Sequence, residues 1–443
     1  MYMPVGHSRD GSLWVCVRVL CALARPVGYF LWMGEDFMRF TTRLLHGSFG
    51  PDQATGATTQ PIFQTSAFYQ ETAEDMARVF AGRKPGFVYT RVSNPTLMSL
   101  ERRINDLEGG AGAVACASGM ATVSQAVLNV LREGDELVAS GGLYGGTSSL
   151  FRDLENYGIQ VRYADGDSLA AFEAVMTERT RLLYVETIGN PKLDVPDIKA
   201  LAELAHAHEI PLFVDNTVTT PYLCQPLALG ADVVIHSTSK SLNGNGNSIG
   251  GIVVSGRNFR WDPVRFPKFQ DYRFGPMSFL VRMRMRMVTD YGGCMAPMNA
   301  YLTGIGLDTL ALRLDRITST AQQLAEHFAA RGVAVNYPGL ASSPYHEVAK
   351  KQFGNRYGAM LTLRLGTKEK AFDFINHLHY ALNASNIGDA RTLVLHPATT
   401  IFVHASEEEK AAAGVTDDLV RINVGLEDPE DLLEDFQQAL QQI

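Results

Sequence analysis

The sequence predicts an α/β fold with a mostly parallel central sheet, followed by a smaller α+β C-terminal domain. From residue 97 to about 255, amphipathic segments of helical length alternate with short runs of Val, Ile and Leu. That alternation is the pattern of strands covered on both faces by helices. Near Pro297 the rhythm changes, and isolated apolar runs are set among longer helical stretches. A chain of 443 residues with 46% hydrophobic side chains suits one large domain and a smaller one. The expected boundaries are 97–300 and 301–443.

Taken in order, strands are expected at 136–139, 182–185, 212–214 and 233–236, and helices at 119–132 and 198–208. The C-terminal part predicts helices at 318–331, 368–382 and 429–442 and strands at 360–365 and 419–424. In the RMRMRM stretch at 282–287, Phe279, Met283 and Met287 lie at helical spacing. A half-buried helix with solvated arginines is expected there rather than a basic interaction strip. Residues 1–37 are apolar but interrupted by Arg18, Arg25 and Pro26, which suits no clean transmembrane helix. A signal peptide can be argued from Ala22 and Ala24, yet Arg18 sits inside its would-be apolar core. The segment reads as a disordered or non-native extension, with Met38 as the alternative start.

A net charge of −8 without a long basic run excludes a field that attracts nucleic acid, and no membrane association is expected. The five cysteines, at 16, 21, 116, 224 and 294, are odd in number and form no CxxC pair. They suit a reducing, cytoplasmic compartment and support neither a disulfide framework nor a metal site.

Several motifs carry chemistry. In DVVIHSTSK (232–240) an apolar strand runs into Ser237, Ser239 and Lys240. A lysine there can form a Schiff base if its pKa is depressed by burial or neighbouring cations, and the hydroxyls can donate to a phosphate. LFVDNT (212–217) ends a buried strand at Asp215, a carboxylate able to pair with a protonated pyridine nitrogen. A turn or a helix cap explains Asp215 equally well in isolation. ACASGMATVSQAVLNVL (115–131) opens a helix at Gly119 and Met120, whose free amides suit an anion, although an ordinary Ser118 cap accounts for the pattern too. GGLYGGTSSLF (141–151) offers Tyr144 to stack on an aromatic ring, or to fill a core. FVYTRVSNPTLMSLE (87–101) supplies the hydroxyl of Tyr89 and the fork of Arg91, otherwise a surface arginine. The G-x-G in GNGNSIGG lacks the strand-to-helix setting of dinucleotide binding.

The order Y-T-R-x-S-N-P-T, A-S-G-M, L-Y-G-G-T, E-T-x-x-N-P, V-D-N-T and H-S-x-S-K resembles the Cys/Met-metabolism pyridoxal-phosphate (PLP) enzymes, from about residue 38 to the C-terminus. That family includes cystathionine γ-synthases and lyases, methionine γ-lyases and O-acetylhomoserine sulfhydrylases. The resemblance implies a PLP-dependent transferase of the aspartate-aminotransferase-like fold (fold type I). It also implies an arm at 38–96 reaching a neighbouring subunit, and a homotetramer of two active dimers. Lys240 is assigned the Schiff base with pyridoxal 5′-phosphate, Asp215 the pyridine nitrogen, and Gly119, Met120, Ser237 and Ser239 the phosphate. Tyr144 stacks on the ring, and Asn190 lies near the cofactor's phenolic oxygen. Tyr89 and Arg91 complete the phosphate site of the adjacent chain. Lys240, Tyr144 and Tyr89 are the implied catalytic residues. Arg421, in LVRINVGLED, and Asn386 are implied to hold the substrate α-carboxylate. The SNIGDARTLVLHPATT and FRWDPVRFPKFQ stretches resemble those of sulfhydrylases, and Gly146 stands where methionine γ-lyases carry a cysteine. The expected reaction is γ-replacement on an O-acylated homoserine by a thiol. The alternatives are a γ-lyase, a cystathionine γ-synthase, or a PLP-binding module without turnover. Ser241 and Asn245 depart from the family's aromatic and histidine at those positions.

Overall fold

The computed structural model describes residues 38–48, 50–52 and 54–443, so the expectations for residues 1–37 lie outside it. The larger sheet has seven strands: β1 (Gly112–Cys116), β2 (Glu136–Ala139), β3 (Gln160–Tyr163), β4 (Thr180–Glu186), β5 (Leu212–Asp215), β6 (Val233–Ser237) and β7 (Gly251–Ser255). Their order is β1-β7-β6-β5-β4-β2-β3, with β7 antiparallel to both neighbours and the run from β6 to β3 parallel. Parallel neighbours need crossover segments. Helices Gly145–Asp153, Leu169–Val175 and Ile198–Ala207 supply three of them. Between β6 and β7 the chain forms no helix, and it returns antiparallel through the loop that contains Lys240.

Leu182, Leu183, Tyr184 and Val185 of β4 are all fully buried, as expected of a strand covered on both faces. The strands expected at 182–185, 212–214 and 233–236 each continue one residue further than expected, onto Glu186, Asp215 and Ser237. Helix Pro95–Glu108 starts at Asn94, whose side chain accepts the Thr96 amide, and ends at Gly109 with φ of 73°. The Asn94 amide group also donates to Phe63 O at 2.8 Å, which ties down the preceding arm.

The second sheet contains β8 (Ala334–Asn336), β9 (Met360–Arg364), β10 (Leu382–Asn383), β11 (Leu393–Leu395) and β12 (Leu419–Asn423), in the order β10-β11-β12-β9-β8. Helix Leu310–Ala330 packs between the sheets. A single apolar cluster runs from Leu183 and Val214 through Ile317 and Phe328 to Leu361 and Val420. Among the described residues no helix is long and apolar enough to cross a membrane, and no group of three or more His, Cys, Asp or Glu could hold a metal ion.

Two local expectations are corrected. The helix expected at 368–382 ends at Asn376, and Leu382 pairs with Leu393 in a strand. The cause is Asp435, 2% exposed, whose carboxylate accepts the amides of His379 at 2.7 Å, Tyr380 at 2.9 Å and Ala381 at 3.4 Å. Those bonds satisfy the backbone in a turn that a helix cannot match. The second correction concerns the arginines of 282–287. Phe279, Met283 and Met287 are buried as their spacing predicts, but Arg284 pairs with Glu101 at 2.7 Å and Arg282 donates to Asn129 Oδ1 at 2.7 Å. Asp435→Ala is expected to lower stability by about 2 kcal/mol, because amides are left without an acceptor. Urea denaturation checks this, and an unchanged midpoint would show that the turn holds without the carboxylate.

Candidate active site

Strands β4, β5 and β6 end side by side, with Glu186 opposite Asp215 and Asp215 opposite Ile235. In open α/β sheets ligands lie beyond such carboxyl ends. A cavity of about 230 Å³ opens there. Gly119, Met120, Tyr144, Asn190, Asp215, Ser237, Ser239, Lys240, Asn386 and Arg421 all line it. Tyr89 and Arg91 do not. The Arg91 guanidinium lies 5.5 Å from the Tyr89 ring centroid and donates to the Thr289 carbonyl, away from this cleft.

One end of the cleft is built for an anion. Ser118 does cap helix Gly119–Val130, accepting the Ala121 amide at 3.0 Å. The cap leaves the amides of Gly119 and Met120 without an intrahelical acceptor. Glycine is required at 119, since a Cβ there would stand 2.7 Å from Ser237 Cβ. The Ser237 amide donates to Thr217 Oγ1 at 2.8 Å, which locks that wall. Ser239 is occupied in this structure, donating to Gly250 O at 3.2 Å and accepting the Gly250 amide at 3.0 Å. Its hydroxyl must turn away from that carbonyl before it can donate to a ligand.

The other end is acidic. Burial pushes the Glu186 carboxyl well above its usual range, and the nearby Asp215 charge adds to the effect. Burial also raises Asp215, offset in part by hydrogen bonds from Thr217. Glu186 is engaged by the Tyr144 amide at 2.7 Å. Asp215 gains most from a cation placed against it.

Between these ends lies Lys240, half-buried, with Nζ 2.5 Å from Asn386 Oδ1. Burial, and then the positive charge of Arg421, lower its pKa to about 8. Arg421 is itself 3% exposed on the central strand β12. It donates to Asn190 Oδ1 at 3.0 Å and to Asn386 O at 2.9 Å, and its Nε has no partner. Tyr144 is 41% exposed over the cleft. The arrangement asks for a ligand with an anionic group at one end, a protonatable nitrogen at the other and an electrophilic carbon within reach of Lys240. Pyridoxal phosphate has all three.

The family model for Cys/Met metabolism PLP-dependent enzymes matches residues 41–441. This chain belongs to that family. It is 38% identical over 434 residues to homocysteine/cysteine synthase of Saccharomyces cerevisiae, covering 91% of this chain and 98% of that protein. It is 39% identical over 424 residues to O-acetyl-L-homoserine sulfhydrylase of Corynebacterium glutamicum, covering 91% and 97%. A Campylobacter jejuni crystal structure containing N′-pyridoxyl-lysine-5′-monophosphate superposes with a TM-score of 0.87 at 33% identity, covering 91% of this chain and all of that one. Cystathionine gamma-lyase from Lactobacillus plantarum, solved with L-serine, superposes with a TM-score of 0.81 at 31% identity, covering 92% and 99%. The fold is therefore that of the PLP-dependent transferases of fold type I, and the protein is a PLP-dependent enzyme.

The cleft also contains Thr147, Thr217, Ser385 and Ile401, which sequence reasoning did not single out. Thr217 carries a usable signal, two residues after Asp215 at a strand end. Ile401 carries none, because only the tertiary fold brings its loop here.

The neutral fraction of the Lys240 amine grows as pH rises through about 8. Capture of added pyridoxal phosphate by the apoprotein, followed by stopped-flow absorbance, is expected to accelerate across that range and level off above it. Arg421→Gln removes a charge that favours the neutral amine, so it is expected to move the midpoint upward. An unmoved midpoint assigns the depression to burial alone.

Proposed function

We propose that this chain catalyses γ-replacement on an O-acylated homoserine, joining O-acetylhomoserine to sulfide or methanethiol to give homocysteine or methionine. The observation that carries this reading is the convergence of Lys240, Asp215 and Arg421 on one cleft, in a chain 39% identical to an O-acetyl-L-homoserine sulfhydrylase. When bound, pyridoxal phosphate supplies an electron sink for negative charge at the amino acid's α carbon. Lys240 holds the cofactor covalently through Nζ. With cofactor and amino acid bound, Nζ would be the base placed to take the α proton, a task suited to an amine whose pKa burial lowers to about 8. Asp215 pairs with the pyridine nitrogen and keeps it protonated.

The amides of Gly119 and Met120, with Ser237 and Ser239, hold the phosphate. Tyr144 would stack on the ring, and Asn190 would serve its phenolic oxygen. Arg421 has one buried N–H free for the substrate α-carboxylate, with Asn386 beside it. Tyr89 and Arg91 serve the cleft of a neighbouring subunit in a homotetramer of two active dimers, in keeping with their position outside their own cleft. The small-molecule partners are the amino acid and the thiol. A cytoplasmic location suits the unpaired Cys116, Cys224 and Cys294. A second reading, γ-elimination with release of a 2-oxo acid, is favoured by the likeness to cystathionine gamma-lyase.

Supplying O-acetyl- or O-succinyl-L-homoserine with sulfide or methanethiol, and methionine or cystathionine alone, separates the readings. Homocysteine or methionine is expected from the first set. 2-Oxobutyrate from a single amino acid would instead make the chain a lyase, and PLP binding without substrate consumption a non-catalytic module. Lys240→Ala is expected to lose both the visible absorbance of the bound cofactor and multiple turnover, and full activity in that variant overturns the assignment. The shared cleft is tested by mixing inactive Arg91→Ala and Lys240→Ala chains after dissociation. Random pairing restores one intact cleft per mixed dimer, hence about a quarter of wild-type activity. No recovery places Arg91 outside the site.

A further inference from the structure

At the ends of β4, β5 and β6 the residues that line the cofactor cleft are Glu186, Asp215 and Ser237. Successive residues of a strand point to opposite faces of its sheet. The neighbours Thr187, Asn216 and His236 therefore turn to the other face, and all three are fully buried. His236 shares that face of β6 with Val234, which packs with Leu107 and Ile252 in an apolar cluster.

These buried polar groups are joined to one another. Glu108, the last residue of helix Pro95–Glu108 and 2% exposed, brings one carboxyl oxygen to two strands at once. Its Oε1 accepts from Asn216 Nδ2 at 2.8 Å and lies 2.7 Å from His236 Nε2. The Asn216 side chain also donates to Cys224 O at 3.0 Å and accepts from the Thr219 hydroxyl. Thr219 is fully buried, and its hydroxyl lies 2.9 Å from that of Thr187. A continuous ladder of hydrogen bonds thus runs behind the cleft from the end of β4 to the end of β6. None of its members lines the cleft itself.

Such a ladder is a poor source of stability. Taking a carboxyl group and an imidazole out of water is costly, and apolar side chains of like volume in such places are commonly neutral or better. What a satisfied polar network adds is a single defined arrangement. Packing alone lets strand ends slip, whereas bonds of fixed direction do not. Glu108 Oε2 and His236 Nδ1 have no partner, so Oε1 and Nε2 alone join the helix to β6. Each strand-end residue held in this way is the immediate neighbour of one that faces the cofactor cleft.

We propose that Glu108 is a positioning residue for the cofactor, holding the ends of β5 and β6 through Asn216 and His236 so that Asp215 and Ser237 stand at the spacing one ligand needs. Thr219 extends the hold to β4 and Glu186. The proposal rests on the reading that Asp215 meets the pyridine nitrogen and Ser237 the phosphate, and adds what sets the distance between them. Glu108 touches neither cofactor nor substrate. It acts from the opposite face of the sheet.

The test measures cofactor affinity and folding separately. Full-length apoprotein is titrated with pyridoxamine 5′-phosphate, which binds without a covalent link to Lys240, and its urea midpoint is taken without ligand. Glu108→Leu removes both bonds at Oε1, while Glu108→Gln keeps an oxygen able to accept them. Thr219→Val cuts the ladder at nearly constant volume and serves if Glu108→Leu does not fold. Glu108→Leu and Thr219→Val are expected to raise the Kd about tenfold or more. They are also expected to weaken the visible circular dichroism of the bound cofactor in the holoenzyme. Glu108→Gln is expected to stay within about threefold of the wild-type Kd. A lowered urea midpoint with unchanged Kd and dichroism makes the ladder structural only and overturns the proposal. Equal losses in Glu108→Gln and the breaking variants overturn it too, because the bonds are then not the cause. Asp215→Ala separates the two readings and is expected to weaken binding. Normal binding in Asp215→Ala overturns the cofactor contact and the ladder's role with it. Weak binding there, with normal binding in the ladder variants, overturns the ladder alone.

Discussion

Asn386 stands between two positive groups that would otherwise repel. Its side-chain oxygen accepts from Lys240 Nζ, and its backbone oxygen accepts from Arg421 Nη2. Lys240 comes from the loop after β6 and Arg421 from the middle of the other sheet, so one residue fixes the distance between them. Arg421 extends the link to Asn190, beyond the end of β4. Arg421 is buried while Lys240 and Asn386 are half-buried, and this partial exclusion of water makes the Arg421 charge felt at Lys240. Loss of the junction leaves a lysine and an arginine at an undefined spacing, although burial, the larger cause, still lowers the pKa of the amine.

The cleft holds charges that its own side chains do not balance. Glu186 is buried with Asp215 half-buried beside it, and both are pushed toward their neutral forms. At the other end, helix amides have no acceptor. Such an arrangement is costly without a ligand, and a cofactor that supplies the missing partners stabilises the folded chain by mass action. The same unmet demands explain why so few side chains suffice for binding. Each one meets a different part of the ligand.

Much of this was legible in the sequence where the signal is local. A parallel strand buried on both faces is a continuous apolar run, and the first polar residue after it marks the sheet's functional edge, as at Glu186 and Asp215. A bare position before a helix marks the anion cradle at Gly119. Signals that depend on distant partners are not legible in this way. The helix at 368 stops because of Asp435, and Arg284 is held half-buried by Glu101, and neither partner leaves a mark in the neighbouring sequence. Arg421 was placed in the site by resemblance alone, since strand periodicity says only that it lies on β12. For Tyr89 and Arg91, local chemistry names the groups but not the cleft they serve.

The strand order has a consequence for how the site comes into being. β1 lies at the sheet edge and pairs with β7, with Gly112 opposite Ser255, although the two are far apart in the chain. The anion cradle follows directly after β1, and Gly251 of β7 packs so tightly against Ser118 O that a Cβ would stand 2.3 Å from it. On the ribosome, β1 emerges long before the strand that must hold it. Closing so long a loop is entropically slow. The cradle's packing is therefore complete only once β7 is in place, and a chain truncated before β7 has its lysine but lacks the strand that backs the cradle.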